Sequence, residues 1–223
     1  MNVGLIGNGY WGKILLSKLK EISNVKFICS SKDDYTSKLD LIDWVFIATP
    51  NDTHFDIVKY CLQSNKNVFC EKPLTPTYKQ SLKLFKLADK HKVKLYVDDV
   101  FNWRDEVIDL RSILSSKNNL KVTWKRKTNN KIFDLLYHDL YLLYPILKNK
   151  VNIKWPKINN IEFDYSGSDK THTINYVNFT HTKNSNDALL KMLTSVINNK
   201  ADYEYNRVIS LFCNSTIDKL TKK

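Results

Sequence analysis

Apolar positions in the first hundred residues follow two alternating periods. Met1–Gly7 is a short apolar run closed by glycine, and Val25–Cys29, Trp44–Ala48, Asn67–Cys70 and Val93–Val97 are similar runs. Runs this short and this rich in β-branched and aromatic residues predict buried strands. The segments between them have helical spacing. Trp11–Ile22 places Ile14, Leu15, Leu16, Leu19 and Ile22 along one face, Thr53–Gln63 follows the third strand, and Tyr78–His91 carries Leu82, Leu84, Phe85 and Leu87. Strands alternating with helices predict a parallel, doubly wound α/β sheet with right-handed crossovers.

Near residue 119 the pattern changes. Leu120–Lys127 alternates like a half-exposed strand, Ile132–Leu147 reads as a helix, and Ile161–Tyr165 and Thr173–Phe179 alternate with no helix between them. This predicts a smaller α+β domain whose sheet is mostly antiparallel. Asp187–Leu220 reads as two helices broken around Asn198–Ala201. The expected division is residues 1–118 as a dinucleotide-binding domain and 119–223 as a shortened substrate and oligomerisation domain.

Composition narrows the class. The 223 residues are 43% hydrophobic and 26% charged, a globular balance. The chain shows neither a basic-then-apolar leader nor an apolar run near the roughly 20 residues of a membrane helix, so a cytoplasmic, non-membrane protein is expected. Cys29, Cys61, Cys70 and Cys213 lack paired CxxC spacing, which supports neither zinc nor a disulfide framework. The net charge of +12 comes from 31 Lys and only 4 Arg spread along the chain. Nucleic-acid grooves lean on clustered charge and Arg forks, so a solvated surface is the expected reading.

The sharpest local signal is Gly7-Asn8-Gly9-Tyr10-Trp11-Gly12, a G-x-G-x-x-G segment between a strand and a helix. Its glycines permit the turn, the approach of a pyrophosphate and the helix–strand contact, while the helix N-terminus supplies free N–H groups. Where a carboxylate usually holds the ribose 2′-OH of NAD, this chain has Ser30, Ser31 and Lys32 after Cys29. Two hydroxyls and an ammonium favour NADP, with NAD possible if Asp33 or Asp34 turns inward. Between Ser30 and Trp44 there is little room for the usual helix.

Three further segments, Ala48-Thr49-Pro50-Asn51-Asp52-Thr53-His54, Glu71-Lys72-Pro73-Leu74 and Asp134-Leu135-Leu136-Tyr137-His138-Asp139, follow the glycine loop in this order. Together the four motifs resemble the glucose–fructose oxidoreductase/inositol dehydrogenase (Gfo/Idh/MocA) family over residues 1 to about 146. The resemblance implies an N-terminal Rossmann domain, a C-terminal sheet domain, and NAD(P)-dependent oxidation or reduction of sugars, cyclitols or sugar nucleotides. It also implies that Lys72, Asp134 and His138 match the family's catalytic lysine, acid and histidine. The chemistry agrees: hydride transfer to or from a carbinol needs a partner for the hydroxyl proton. Lys72 follows a strand end where open α/β sheets bind ligands, and Asp134 and His138 share a helical face.

Thr49, Pro50, Asn51, Glu71 and Pro73 are expected along the cofactor. His54 either joins them or caps and packs its helix. Trp103 and Arg104 either border the substrate or, for Arg104, pair with Asp105 or Glu106 at the surface. Tyr137, Tyr141 and Tyr144 read as packing. The approach to the Asp–His helix, Thr128-Asn129-Asn130-Lys131, departs from the family's glycine-rich one, and the second domain is short. The alternatives are therefore a non-catalytic dinucleotide-binding sensor, or a reductase of an imine or tetrapyrrole. Leu120, Val122 and Trp124 alternate on one strand, and Ile161, Phe163 and Tyr165 on another. One apolar sheet face then lacks a cover, which predicts a homodimer unless the tail helices supply it.

Overall fold

The computed structural model describes residues 1–105, 107, 120–127, 132–147, 160–165, 172–177 and 187–221. Five parallel strands, β1 (Asn2–Ile6), β2 (Asn24–Cys29), β3 (Trp44–Ile47), β4 (Asn67–Cys70) and β5 (Leu95–Val97), form one sheet in the order β2-β1-β3-β4-β5. Helices α1 (Tyr10–Ile22), α2 (His54–Gln63) and α3 (Tyr78–His91) connect them. The link from β2 to β3 holds only a 3-10 turn at Thr36–Leu41, as its length requires. The chain reverses its direction of winding between β1 and β3, and that switch point is where such sheets open a ligand crevice.

Alternation on the central strands sorts two cores. Ile6, Val45, Ile47, Val68 and Val97 share a cluster with Val58, Leu62, Leu84 and Phe85 of α2 and α3. The opposite side chains form an aromatic row: Trp44 and Phe46 have ring centres 6.2 Å apart, Phe46 and Phe69 5.2 Å, and Phe69 and Tyr96 6.2 Å. Such contacts add to the area these rings bury.

The tail completes this unit. Ala188–Ile197 (α5, after the Ile132–Leu147 helix, α4) and Tyr203–Thr221 (α6) belong with the Rossmann strands, so one unit comprises residues 1–100 and 189–223, and the other 101–188. That grouping differs from a linear split at 118/119. Its physical cause lies in α6, which packs on α3 and β5. Tyr203 stacks on Trp44 at 6.4 Å and meets Tyr96 edge-on at 5.8 Å. Asn206 receives a hydrogen bond from the Val97 N–H at 2.9 Å and donates to its carbonyl at 2.8 Å, which satisfies the outer side of edge strand β5. Asn206→Leu strands both backbone groups, and urea unfolding should show a loss of about 2 kcal/mol or more.

In the second unit, β6 (Leu120–Lys127) is the central strand of three. It pairs antiparallel with β7 (Asn160–Tyr165) and parallel with β8 (His172–Val177). The described sheet is thus mixed rather than mostly antiparallel. Alternation in sequence marks a strand without fixing its neighbour or direction, and here β7 and β8 lie on opposite edges of β6 instead of forming a hairpin. The apolar strand side chains invoked for a dimer, and residues 128–131, lie outside the described residues.

Candidate active site

The site begins at the turn after β1. Gly7 has φ +116°, and a Cβ on it would strike the carbonyl of Ala48 after β3. Its N–H donates to the Cys29 carbonyl at 2.8 Å, so one residue ties β1 to β2 while passing close to β3. A Cβ on Gly12 would meet the Gly7 carbonyl, which is why helix and turn can close together. Gly9, the N-cap of α1, has open space where a Cβ would be. No side chain caps this helix and no acid lies in its first turn. Free N–H groups, open space and the helix dipole fit the diphosphate of a dinucleotide. Asn8, Tyr10 and Trp11 are exposed around it, Tyr10 by 77% and Trp11 by 57%.

At the end of β2, Ser30 and Ser31 are partly buried and Lys32 is exposed. The Ser30 hydroxyl accepts from the Lys32 N–H at 3.3 Å. Asp33 folds back so that its carboxylate accepts the Ser30 N–H at 2.6 Å, and this bond holds its pKa below the usual range. Asp34 instead closes the following turn, accepting from the N–H and hydroxyl of Thr36 and the N–H of Ser37.

The turn after β3 holds Thr49, buried, with Pro50 and Asn51 exposed. The Thr53 hydroxyl bonds both the Thr49 hydroxyl and the Pro50 carbonyl at 2.7 Å. His54 opens α2. It is fully buried, with Nδ1 2.9 Å from the Pro73 carbonyl and Nε2 2.9 Å from that of Thr49. Burial lowers its pKa against the pull of those carbonyls. The ring therefore sits between the turn after β3 and the turn after β4, and in its neutral form it donates to one of the two carbonyls.

Glu71, Lys72 and Pro73 follow β4 directly, with a cis peptide before Pro73. Asn214 of α6 donates to the Thr75 carbonyl at 2.7 Å and anchors the same segment. Beside it, at the end of β5, stand Asp98 and Asp99, each only 5% exposed, which sequence reasoning did not single out. The Tyr96 hydroxyl donates to Asp99 at 2.7 Å.

Within the second unit, α4 carries Asp134 and His138 four residues apart, and the side chain of Asp134 lies outside the described residues. His138 is half-buried and meets the Phe101 ring edge-on at 4.2 Å. The Arg104 guanidinium lies over the same ring at 4.3 Å, and Arg104 is buried, with Trp103 half-buried beside it. Phe101 thus links Arg104 to His138. Tyr137 and Tyr141 are fully buried with ring centres 5.0 Å apart, in a packing role.

Residues 16–99 match the family model for Gfo/Idh/MocA oxidoreductases with an NAD-binding Rossmann fold. Over that segment the chain is similar to the Gfo/Idh/MocA family. Among curated relatives of this family, the uncharacterized oxidoreductase YdgJ of Escherichia coli is 30% identical over 138 residues, 52% of this chain and 39% of that one. The scyllo-inositol 2-dehydrogenase (NADP(+)) IolW of Bacillus subtilis is 25% identical over 134 residues, 52% of this chain and 37% of that one. The chain therefore spans well under two thirds of the length of these relatives. In fold, it is similar to the UDP-N-acetylglucosamine 3-dehydrogenase GnnA from Acidithiobacillus ferrooxidans, with TM-score 0.72 at 13% identity over 98% of this chain and 96% of that one. No helix among the described residues is long and apolar enough to cross a membrane.

Proposed function

We propose that this protein is a Gfo/Idh/MocA-type, NAD(P)-dependent oxidoreductase acting on a carbinol or carbonyl carbon of a sugar, cyclitol or sugar nucleotide. The observation that carries the reading is Lys72, set immediately beyond β4 on the sheet edge where the glycine loop and the Thr49 turn open the switch crevice. Relatives named for inositol and for a sugar nucleotide support the substrate class. The N-terminus of α1 would hold the diphosphate, and the residues from Thr49 to Asn51 the cofactor beyond it. A bound nicotinamide supplies the hydride donor or acceptor. Lys72 then exchanges the proton of the substrate oxygen, and by the same resemblance Asp134 and His138 of α4 are the acid and histidine of the reaction. The test is NAD(P)H-linked turnover on a panel of cyclitols and sugar nucleotides, in which no turnover by any member would count against the reading.

Ser30 and Lys32 favour NADP(H) over NAD(H), and Asp33 opposes it, because its carboxylate occupies the Ser30 N–H that a 2′-phosphate would use. Fluorescence titration should give tighter binding of NADPH than of NADH. Lys32→Ala should narrow the gap and Asp33→Asn widen it. Tighter NADH binding that Asp33→Asn leaves unchanged would sink the preference.

The same reading makes the protein a twofold dimer through its three-stranded sheet, as closed symmetry favours. Light scattering at micromolar concentration should return about twice the chain mass of 26.2 kDa. The single-chain mass rejects the dimer.

A further inference from the structure

Glu71 and Asp98 are neighbours across the sheet. Cys70 and Val97 are register partners in β4 and β5, the Asp98 N–H donates to the Cys70 carbonyl at 2.9 Å, and each acid is the first residue past its strand. Parallel strands lie about 4.8 Å apart, so Glu71, Lys72 and Asp98 leave the sheet side by side at the ends of β4 and β5. Lys72, Cys70 and Asp99 act on them from the ends of β4 and β5, Tyr96 of β5 bonds Asp99, and on α6 the neutral Asn206 bonds Val97. One Asp98 oxygen accepts the Val100 N–H at 3.1 Å, and Asp99 is held by Tyr96.

A strand end needs no acids for folding, and setting a half-buried Glu71 beside Asp98, 5% exposed, is costly. Desolvation first, and then the charge of Asp99, push the Asp98 carboxyl up to about 7. Desolvation and the charge of Asp98 push Glu71 well above the usual carboxylate range. Lys72 pulls both back down. Two such groups titrate as a pair and do not both ionise readily.

We infer that Glu71 and Asp98 hold one proton between them beside Lys72, and that this pair is the internal partner with which Lys72 exchanges the substrate proton. This rests on the catalytic reading of Lys72. In the oxidative direction, the Lys72 ammonium passes one proton to the ionised pair, and its amine takes up the proton released when the substrate O–H bond breaks. The electron pair of the C–H bond leaves as hydride for the nicotinamide. The lysine ends as it began, the pair has gained one proton, and that proton passes later to water. Asp98 acts through Lys72, as a positioning residue that does not touch substrate.

The pair is testable in the cofactor-free full chain by carboxyl ¹³C NMR titration of labelled Asp and Glu. The wild type should show two mutually dependent titrations, that of Asp98 with its midpoint near 7. Asp98→Asn should lower the Glu71 midpoint by about one pH unit or more, and Lys72→Met should raise the midpoints of both acids. A Glu71 titration indifferent to Asp98→Asn overturns the pair. Once a substrate is in hand, Asp98→Asn should move the neutral limb of the pH–rate profile, and Asp98→Glu should restore it in part. An unmoved profile overturns the relay even if NMR shows the pair, whereas wild-type turnover by Lys72→Ala overturns the catalytic reading beneath it.

Discussion

Lys72→Ala is expected to lower turnover by roughly 10²–10⁴, the usual scale for losing a proton-exchanging group, while NADPH binding changes little. The two effects separate because the proposed phosphate site spans Gly7 to Gly12 at the start of α1, whereas Lys72 follows β4. His138→Ala should behave alike, with one difference. His138 packs edge-on against Phe101, so its removal also loosens a contact inside the second unit. His138→Asn keeps a polar group in a similar volume and serves as the control for that loss. A drop in turnover shared by His138→Ala and His138→Asn assigns the effect to the imidazole. The measurement is steady-state kinetics on a substrate from the panel, alongside fluorescence titration of NADPH. Wild-type turnover by either alanine variant would remove that residue from the mechanism.

What the sequence made legible follows from how local each signal is. The glycine loop is read directly, because close backbone approach admits few residue types, as the clash of any Gly7 Cβ with Ala48 illustrates, whereas the Glu71–Pro73 segment stands out through the resemblance. Strand and helix positions in the first hundred residues were equally readable from period. Asp98 and Asp99 were not, since an acid at a strand end looks like the start of a loop until β4 is known to lie beside it. Asp33 was open for the same reason: only the folded turn brings its carboxylate back to Ser30. The membership of α6 in the Rossmann unit depends on Asn206 meeting Val97, a contact over 109 positions that no local pattern announces. Strand order in the second sheet is equally non-local.

Gly7→Ala is the substitution expected to damage the fold most, and Gly9→Ala the one that isolates cofactor binding. At Gly7 a side chain meets two penalties: φ of +116° is ground that L residues rarely occupy, and the Cβ strikes backbone of the Ala48 turn. Backbone cannot swing aside as a flexible side chain can, so either β1 or β3 must shift. A cost of about 2–4 kcal/mol is expected, a large part of the roughly 5–15 kcal/mol of a typical domain. At Gly9 neither penalty applies, because φ is −78° and nothing lies within 4 Å of the added carbon. Gly9→Ala should therefore unfold in urea at the wild-type midpoint. Its methyl group would instead fill the approach that a diphosphate needs, and NADPH affinity should fall roughly tenfold or more, about 1.4 kcal/mol. Urea unfolding and fluorescence titration on the two variants separate a glycine required by the chain from one required by the ligand. Wild-type NADPH affinity in a folded Gly9→Ala protein would show that the diphosphate does not sit on this helix.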